Sequence, residues 1–261
     1  MDRELKLWLF FTRCLPKVRG AGVIANVVKK IYNRKSRNIV ITDIFDFKME
    51  VNPKECVDGG ILFYPQLYDY KEIAFIKQNL PANSCFLDVG AHIGFYSLLA
   101  SRLVGEKGKV VAIEADPYTY NKLLKNIWLN NTKNIQPLNV GISDQQEILK
   151  LGLNLTGNRG GNGFLFANSN SIDIQCYPLH EVLSQQGIKQ IEGAKFDIEG
   201  FEFRVLTKFF AAAACELYPK FIIIEYNPDW IEKAGGNAIE LLQSKGYKIY
   251  RRSSYNYIMV L

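Results

Sequence analysis

Phe86-Leu87-Asp88-Val89-Gly90-Ala91-His92-Ile93-Gly94-Phe95 is the stretch on which the reading of this chain turns. An apolar run ends in an acid, then two glycines bracket a short turn, and an apolar helical pattern follows. A buried strand, a tight turn and a helix account for that order. A turn of this kind brings backbone N–H groups close to a ligand at the carboxyl edge of a sheet. The strand is expected over Cys85–Val89 and the helix near Gly94–Val104, with Phe95, Leu98, Leu99 and Leu103 on one side and a stop at Gly105.

The same alternation continues outward. Lys109–Glu114 reads as a strand, and Asp116-Pro117 as an N-cap acid with proline in the first helical turn. The following helix, through Asn131, spaces Tyr120, Leu123, Leu124, Ile127 and Trp128 as one buried stripe. Ile135–Val140, Lys195–Ile198 and Phe221–Glu225 are the further strands, with a helix over Phe201–Phe210 and another over Asp229–Lys245. An intervening segment carries strands of its own, Glu147–Leu153 and Ser171–Cys176, around the Gly-rich run from Asn158 to Gly163. That run suits a substrate loop or an ordinary surface turn. Tyr247–Arg251 and Tyr257–Leu261 close the chain as a β pair. Strands that alternate with helices imply an α/β fold with a parallel sheet covered on both faces.

Upstream, residues 38–80 suit a short hairpin and a helix over Tyr70–Leu80. Residues 1–80 are read as an N-terminal extension and 81–261 as the main domain. The net charge of +6 is uneven. Residues 1–40 hold ten Lys/Arg against Asp2 and Glu4, leaving 22 Lys/Arg against 24 Asp/Glu in the rest, a net of −2. A nucleic-acid footprint is not expected from charge confined to one end. The basic segment also contains Leu5, Leu7, Trp8, Leu9, Phe10, Phe11 and Leu15. Its apolar side is expected to pack on the domain, with a weak membrane-surface or partner contact as the alternative. Leu7–Phe11 is too short for a signal-peptide core, and no stretch approaches the roughly 18 apolar residues of a membrane span. The expected location is cytoplasmic, with a membrane-peripheral position open. The five cysteines are far apart, without Cys-x-x-Cys spacing, and read as reduced thiols. No oligomeric state is read from the sequence.

Glu114 ends its strand beside the Asp88 turn, where a carboxylate can accept both hydroxyls of a ribose. Several nucleotide cofactors use that arrangement. A dinucleotide fingerprint needs Gly-x-Gly-x-x-Gly, because the middle glycine makes room for a pyrophosphate. Between Gly90 and Gly94 stand Ala91-His92-Ile93, so a cofactor without phosphates fits better.

Taken together, DVGAHIGFYS (Asp88–Ser97), VVAIEADP (Val110–Pro117), NVGISD (Asn139–Asp144), KFDIEGFE (Lys195–Glu202) and IIIEYN (Ile222–Asn227) resemble the FkbM-type S-adenosylmethionine-dependent methyltransferases in order and spacing. The resemblance covers about residues 86–230. It implies a class I methyltransferase fold, Rossmann-like, with a seven-stranded sheet of five parallel strands plus a C-terminal antiparallel pair. It implies S-adenosylmethionine as cofactor, with Asp88, Gly90 and Gly94 at its methionine end and Glu114, beside Ala115, at its ribose. Gly141, Ile142 and Ser143 would lie along the adenine, and Tyr68 and Glu72 would close over the site. His92 stands where the family usually has Asn and could bond the same cofactor group. His180 replaces the first Asp of the family's Thr-Leu-Asp-Asp stretch.

For chemistry, Asp197 is the first candidate for a base or acceptor contact, against the alternative that it caps the helix beginning near Gly200. Glu199 shares its strand face if the strand runs that far. Glu225 and Asn227 are substrate-facing or loop-bonding candidates, and His180 is a base or a packed histidine. Asp197, Glu199 and Glu225 could gather a divalent ion, but nothing in their spacing demands one, and none is expected. The leading expectation is O-methylation of a small-molecule hydroxyl on a sugar, polyketide or peptide-derived product. A nicotinamide-dependent oxidoreductase and a non-catalytic module with a membrane- or partner-binding N-terminus are the alternatives. Base methylation of nucleic acid is disfavoured, because Asp197-Ile198-Glu199-Gly200 stands where an Asn-Pro-Pro-aromatic sequence would be needed.

Overall fold

The structure is a computed structural model that describes residues 3–16, 21–35, 39–154, 159–253 and 255–261. Asn158 of the expected loop lies outside the described residues. The chain begins with helices α1 (Arg3–Arg13) and α2 (Ala21–Lys35), the hairpin β1 (Val40–Ile44) and β2 (Phe47–Val51), and helices α3 (Cys56–Phe63) and α4 (Tyr70–Asn79). There follow β3 (Cys85–Val89), α5 (Phe95–Val104), β4 (Lys109–Ile113), α6 (Pro117–Leu129) and β5 (Ile135–Leu138). The intervening segment supplies β6 (Gly141–Ser143), β7 (Glu147–Leu151), β8 (Ile172–Pro178) and α7 (Leu179–Gln185). Then come β9 (Gly193–Phe196), α8 (Glu202–Ala212), β10 (Phe221–Glu225), α9 (Ile231–Ala234), α10 (Ala238–Ser244), β11 (Lys248–Arg252) and β12 (Asn256–Val260).

The main sheet has seven strands in the order β11-β12-β10-β9-β3-β4-β5. Five are parallel, and β12 runs against β10 and pairs antiparallel with the edge strand β11. This is the class I methyltransferase layout. Strand order reverses between β3 and β9, and a crevice opens at their carboxyl ends. Alternate residues of each parallel strand feed opposite cores: Phe86, Val110 and Ile223 face one layer, Leu87, Val111 and Ile222 the other. Burial on both faces explains the unbroken apolar runs. Leu5, Leu9, Val28 and Tyr32 of the first two helices join the Phe86 layer, so the basic segment does bury an apolar side. Each such buried side chain contributes about 1.5–3 kcal/mol. β6, β7 and β8 form a separate small sheet.

Three expectations need correction. On α6, Leu123 is buried and Tyr120 and Ile127 pack against the core as expected, but Thr119 and Asn126 join the buried side, while Leu124 and Trp128 are exposed, Trp128 to 76%. The hairpin sets which side faces inward: Asn126 accepts from Glu50 N at 2.7 Å, and the C-cap Asn130 accepts from Lys48 N at 2.9 Å, so polar side chains satisfy the edge of β2 and Trp128, on the far side of the helix, stays outside. The helix expected over Asp229–Lys245 is broken at Gly235, which takes φ 79°, and Asn237 then caps α10 by accepting from Ile239 N. Finally, β9 ends at Phe196 rather than Ile198. The chain leaves the sheet through Glu199 (φ 54°) and Gly200 (φ 92°), so strand alternation does not set the relation of Asp197 to Glu199.

Candidate active site

The turn after β3 is built tightly. Gly90 and Gly94 both take positive φ, and a Cβ on Gly90 would sit 1.9 Å from Asp197 O. Any other residue there would push the end of β9 away. Between the glycines His92 also takes a positive φ, of 50°, and its backbone N–H donates to Glu114 Oε2 at 2.8 Å. The other Glu114 oxygen accepts from Asp116 N at 2.8 Å. Glu114 thus ties the ends of β3 and β4 together while facing the cleft. Burial pushes its carboxyl up to about 7, against those two N–H bonds. Asp88 accepts from Ser97 Oγ at 2.5 Å; burial pushes it up to about 6, with Ser97 and Lys195 pulling the other way. Burial lowers the His92 pKa, and its Nδ1 is buried without a hydrogen-bond partner.

These groups line a cleft of about 310 Å³ across the carboxyl ends of β3, β4, β9 and β10. Tyr68 and Asp69, from the link between α3 and α4, form one wall, with the Tyr68 ring edge-on to Phe95 at 5.4 Å. Tyr96 donates from its hydroxyl to Asp69 at 2.8 Å, and burial pushes Asp69 up to about 6. Across the cleft, Arg159–Phe164 covers the rim. Arg159 and Asn162 donate to Asp116 Oδ2 at 3.2 and 3.1 Å, and the Arg159 guanidinium lies 4.2 Å from the Tyr118 ring centre.

At the carboxyl ends of β9 and β10, Asp197, Glu199 and Glu225 present carboxylate oxygens within 4.8 Å of one another. Lys195, buried and 5.0 Å from the Tyr96 ring centre, reaches Asp197 at 2.5 Å. Burial alone would raise Asp197, but Lys195 overcomes it and holds the carboxyl below its ordinary value. Burial, reinforced by the Asp197 charge, pushes Glu199 up to about 8 and Glu225 up to about 10. Glu225 therefore carries a proton and hydrogen-bonds Asp197. The trio is an oxygen donor set that a hard divalent cation could use, although Lys195 and the protons on Glu199 and Glu225 already balance much of its charge. Asp197 caps no helix: α8 starts at Glu202, whose side chain accepts from Ile198 N at 2.8 Å.

Of the residues singled out from sequence, Tyr68, Asp88, Gly90, His92, Glu114 and Ala115 line the cleft, together with Ile142, Asp197, Glu199 and Glu225. The others do not. Gly94 lies behind the turn as the N-cap of α5, packed on Leu123. Gly141 packs under Cys176 and Phe164, and Ser143 donates to Glu147 at 2.6 Å. Glu72 turns away to accept from Ser253 Oγ, anchoring the turn before β12. His180 sits on α7 with Nε2 3.9 Å from Glu181, remote from the cleft, and Asn227 caps a 3₁₀ turn by accepting from Asp229 N. Lys195, Asp69 and Tyr96 are not among the sequence candidates, whereas Arg159 falls in the Gly-rich run read as a substrate loop or a surface turn. Lys195 alone had a readable signal, a cation two residues before the acid at a sheet edge.

Asp69, Asp88, Glu114 and the trio make the cleft acid-rich, which suits a ligand with an ammonium and a sulfonium better than one with phosphates. Its volume is within the usual range for ligand pockets. S-adenosylmethionine fits this chemistry and is the cofactor. The chain is 29% identical to Methyltransferase sdnD of Sordaria araneosa over 242 residues, covering 77% of this chain and 91% of that protein. Among solved structures, precorrin-6y C5,15-methyltransferase of Geobacter metallireducens aligns at 14% identity and TM-score 0.42, over 72% of this chain and 87% of the other. Aeropyrum pernix fibrillarin, solved with natively bound S-adenosyl-L-methionine, aligns at 12% identity and TM-score 0.43 over 73% of each chain. The methyltransferase FkbM domain matches residues 88–249, more than half the chain, including the carboxyl ends of β3, β4, β9 and β10 that build the cleft; the protein belongs to that methyltransferase family.

Proposed function

We propose that the protein transfers a methyl group from S-adenosylmethionine to a hydroxyl of a small molecule. The observation that carries this reading is the carboxylate trio beside Lys195 in the lining of the cofactor cleft. Bound S-adenosylmethionine supplies an electrophilic methyl group with a neutral thioether as leaving group. A hydroxyl acceptor must also lose its proton, and a base works best with a pKa near the working pH. Glu199, pushed up to about 8, meets that condition. Asp197, held ionised by Lys195, is the group to fix the acceptor's orientation, and Glu225 returns a hydrogen bond to Asp197. Alignment of acceptor and donor in a closed cleft can contribute about 7–11 kcal/mol. Residues 1–80 are read as an accessory layer and 81–261 as the catalytic domain. A nucleic-acid acceptor is set aside in this reading, because acids line the cleft.

The test has two stages. Calorimetry should show binding of S-adenosylmethionine and of S-adenosylhomocysteine, and the absence of both sinks the proposal. Isotopically labelled methyl donor offered to a panel of hydroxylated small molecules should then label oxygen. Label on carbon or nitrogen would leave the methyltransferase in place and overturn the acceptor.

A further inference from the structure

The first two helices carry more apolar surface than the fold uses. On α1, Leu5, Leu9 and Thr12 face inward. Leu7, Phe10 and Phe11, at the opposite side of the same helix, are 68, 71 and 51% exposed. The spacing i, i+3, i+4 makes them a second stripe rather than scattered residues. On α2, Val28 and Tyr32 are buried, while Val23, Val27 and Ile31 recur every four residues and are exposed. The two helices pack on each other and on α3, so both stripes belong to one layer. Single exposed apolar residues need no explanation, but two ordered stripes on adjoining helices do.

Charge identifies the occupant. Residues 1–40 hold ten Lys/Arg and only two acids, and the remainder of the chain is slightly negative. Exposed Arg3, Lys6 and Lys30 lie on these same helices. A second copy of this chain would set one strongly positive layer against another. Apolar side chains among cations match a surface that offers acyl chains beneath anionic headgroups. No helix among the described residues is long and apolar enough to cross a membrane, so the contact is in the plane of the surface. We propose that α1 and α2 dock the protein on an anionic lipid surface. Val57 and Ile61 of α3 line the cleft, so the docked layer and the cleft are separated by one helix.

Flotation of the full chain with vesicles tests this. Vesicles of phosphatidylcholine containing a third phosphatidylglycerol should capture at least about tenfold more protein than phosphatidylcholine alone, and capture should fall several-fold when salt is raised from about 0.05 to about 0.5 M. The combined variant Phe10→Glu, Phe11→Glu, Val27→Glu should lose capture while its melting temperature and affinity for S-adenosylhomocysteine stay those of the parent. Lys6→Glu with Lys30→Glu, which leaves the apolar stripes whole, should lose most of it too. Equal capture by neutral vesicles, no capture by either, or full capture of both variants would overturn the proposal. So would a concentration-dependent dimer that the aromatic variant dissolves, which would assign the face to a second copy.

Discussion

Lys195 and Asp197 form an ion pair at the carboxyl end of β9, with Nζ 2.5 Å from Oδ2, the lysine end buried and the aspartate end open to the cleft. Lys195 also pairs in register with Asp88 on β3 and counters Asp69, so one cation serves three acids. Lys195→Met removes that balance. Asp197 should then titrate higher, and Glu199, which Lys195 also holds down, should rise with it, so the acid limb of the pH–rate profile should move up by about one unit and the rate at pH 7 should fall on the order of 100-fold. Because the aspartate end is partly solvated, the stability loss should stay near 1–3 kcal/mol, below that of a fully buried pair. A profile that keeps its shape would show that Lys195 merely packs.

Glu114, pushed up to about 7 by burial, is about half protonated in the empty cleft at neutral pH. Hydroxyls donated by a ribose favour its ionised form, so cofactor binding should lower its pKa and release a fraction of a proton. Calorimetry at pH 7 in buffers of different ionisation heat should reveal that release. Glu114→Gln should abolish it and weaken binding roughly 10–150-fold, the value of one charge-assisted hydrogen bond. The same shift bears on stability. A carboxyl whose folded pKa is raised contributes stability that is complete below its unfolded value of about 4.5 and lost as pH rises through the folded value. Asp88, at about 6, and Glu202, at about 7, add to the effect. The cofactor-free protein should therefore melt several degrees lower at pH 8 than at pH 5, and bound cofactor should flatten the trend.

Much of this was legible because the cofactor half of the cleft is local. Asp88, Gly90, His92 and Glu114 are placed by two strand ends and one turn, and each is marked by an acid or glycine at a sheet edge. The rest depends on contacts that sequence spacing does not encode. Arg159 reaches Asp116 across 43 positions, and Glu72 reaches Ser253 across 181. The spacing of Trp128 matches a stripe, yet the hairpin docks on the opposite side of the helix, through Asn126 and Asn130, and leaves Trp128 exposed. The Asp197–Glu199 relation was expected from strand alternation. It arises from a left-handed Glu199 backbone, which places the two acids together by a turn.

That Glu199 backbone and its raised pKa give a kinetic test of the proposed base. A base must be unprotonated, so the rate should climb as pH rises through about 8 and level off above it. Glu199→Gln should flatten the climb and lower kcat roughly 10²–10⁴-fold with KM little changed. If Asp197 takes the proton instead, the parent rate should be flat from pH 6 to 9 and Glu199→Gln should retain it. Chelation should leave the rate unchanged, since Lys195 and the proton on Glu225 already offset much of the trio's charge. A rate lost to chelator and restored by magnesium would reassign the three carboxylates as a metal site.

The rim segment gives the last test. Its far end is pinned where Gly152 and Gly163 exchange backbone hydrogen bonds, of 3.1 and 3.3 Å, and its near end is held by Arg159 and Asn162 on Asp116. Asp116 follows directly on the Glu114–Ala115 edge and caps α6 by accepting from Tyr118 N at 3.0 Å. Arg159 is partly exposed but Asp116 is buried and keeps Tyr118 N, Thr119 and Asn162 as donors, so loss of the pair should cost about 1–3 kcal/mol of stability. Opening the rim, however, removes a wall from bound cofactor. Arg159→Ala should speed release of S-adenosylhomocysteine several-fold in stopped-flow measurements and lower the melting temperature by only a few degrees. Asp116→Ala frees both donors and removes the cap, and so should add about 1 kcal/mol of destabilisation to a similar acceleration. An Arg159→Ala protein that melts lower yet releases cofactor at the parent rate would make the contact a support for α6 and not a latch on the cleft.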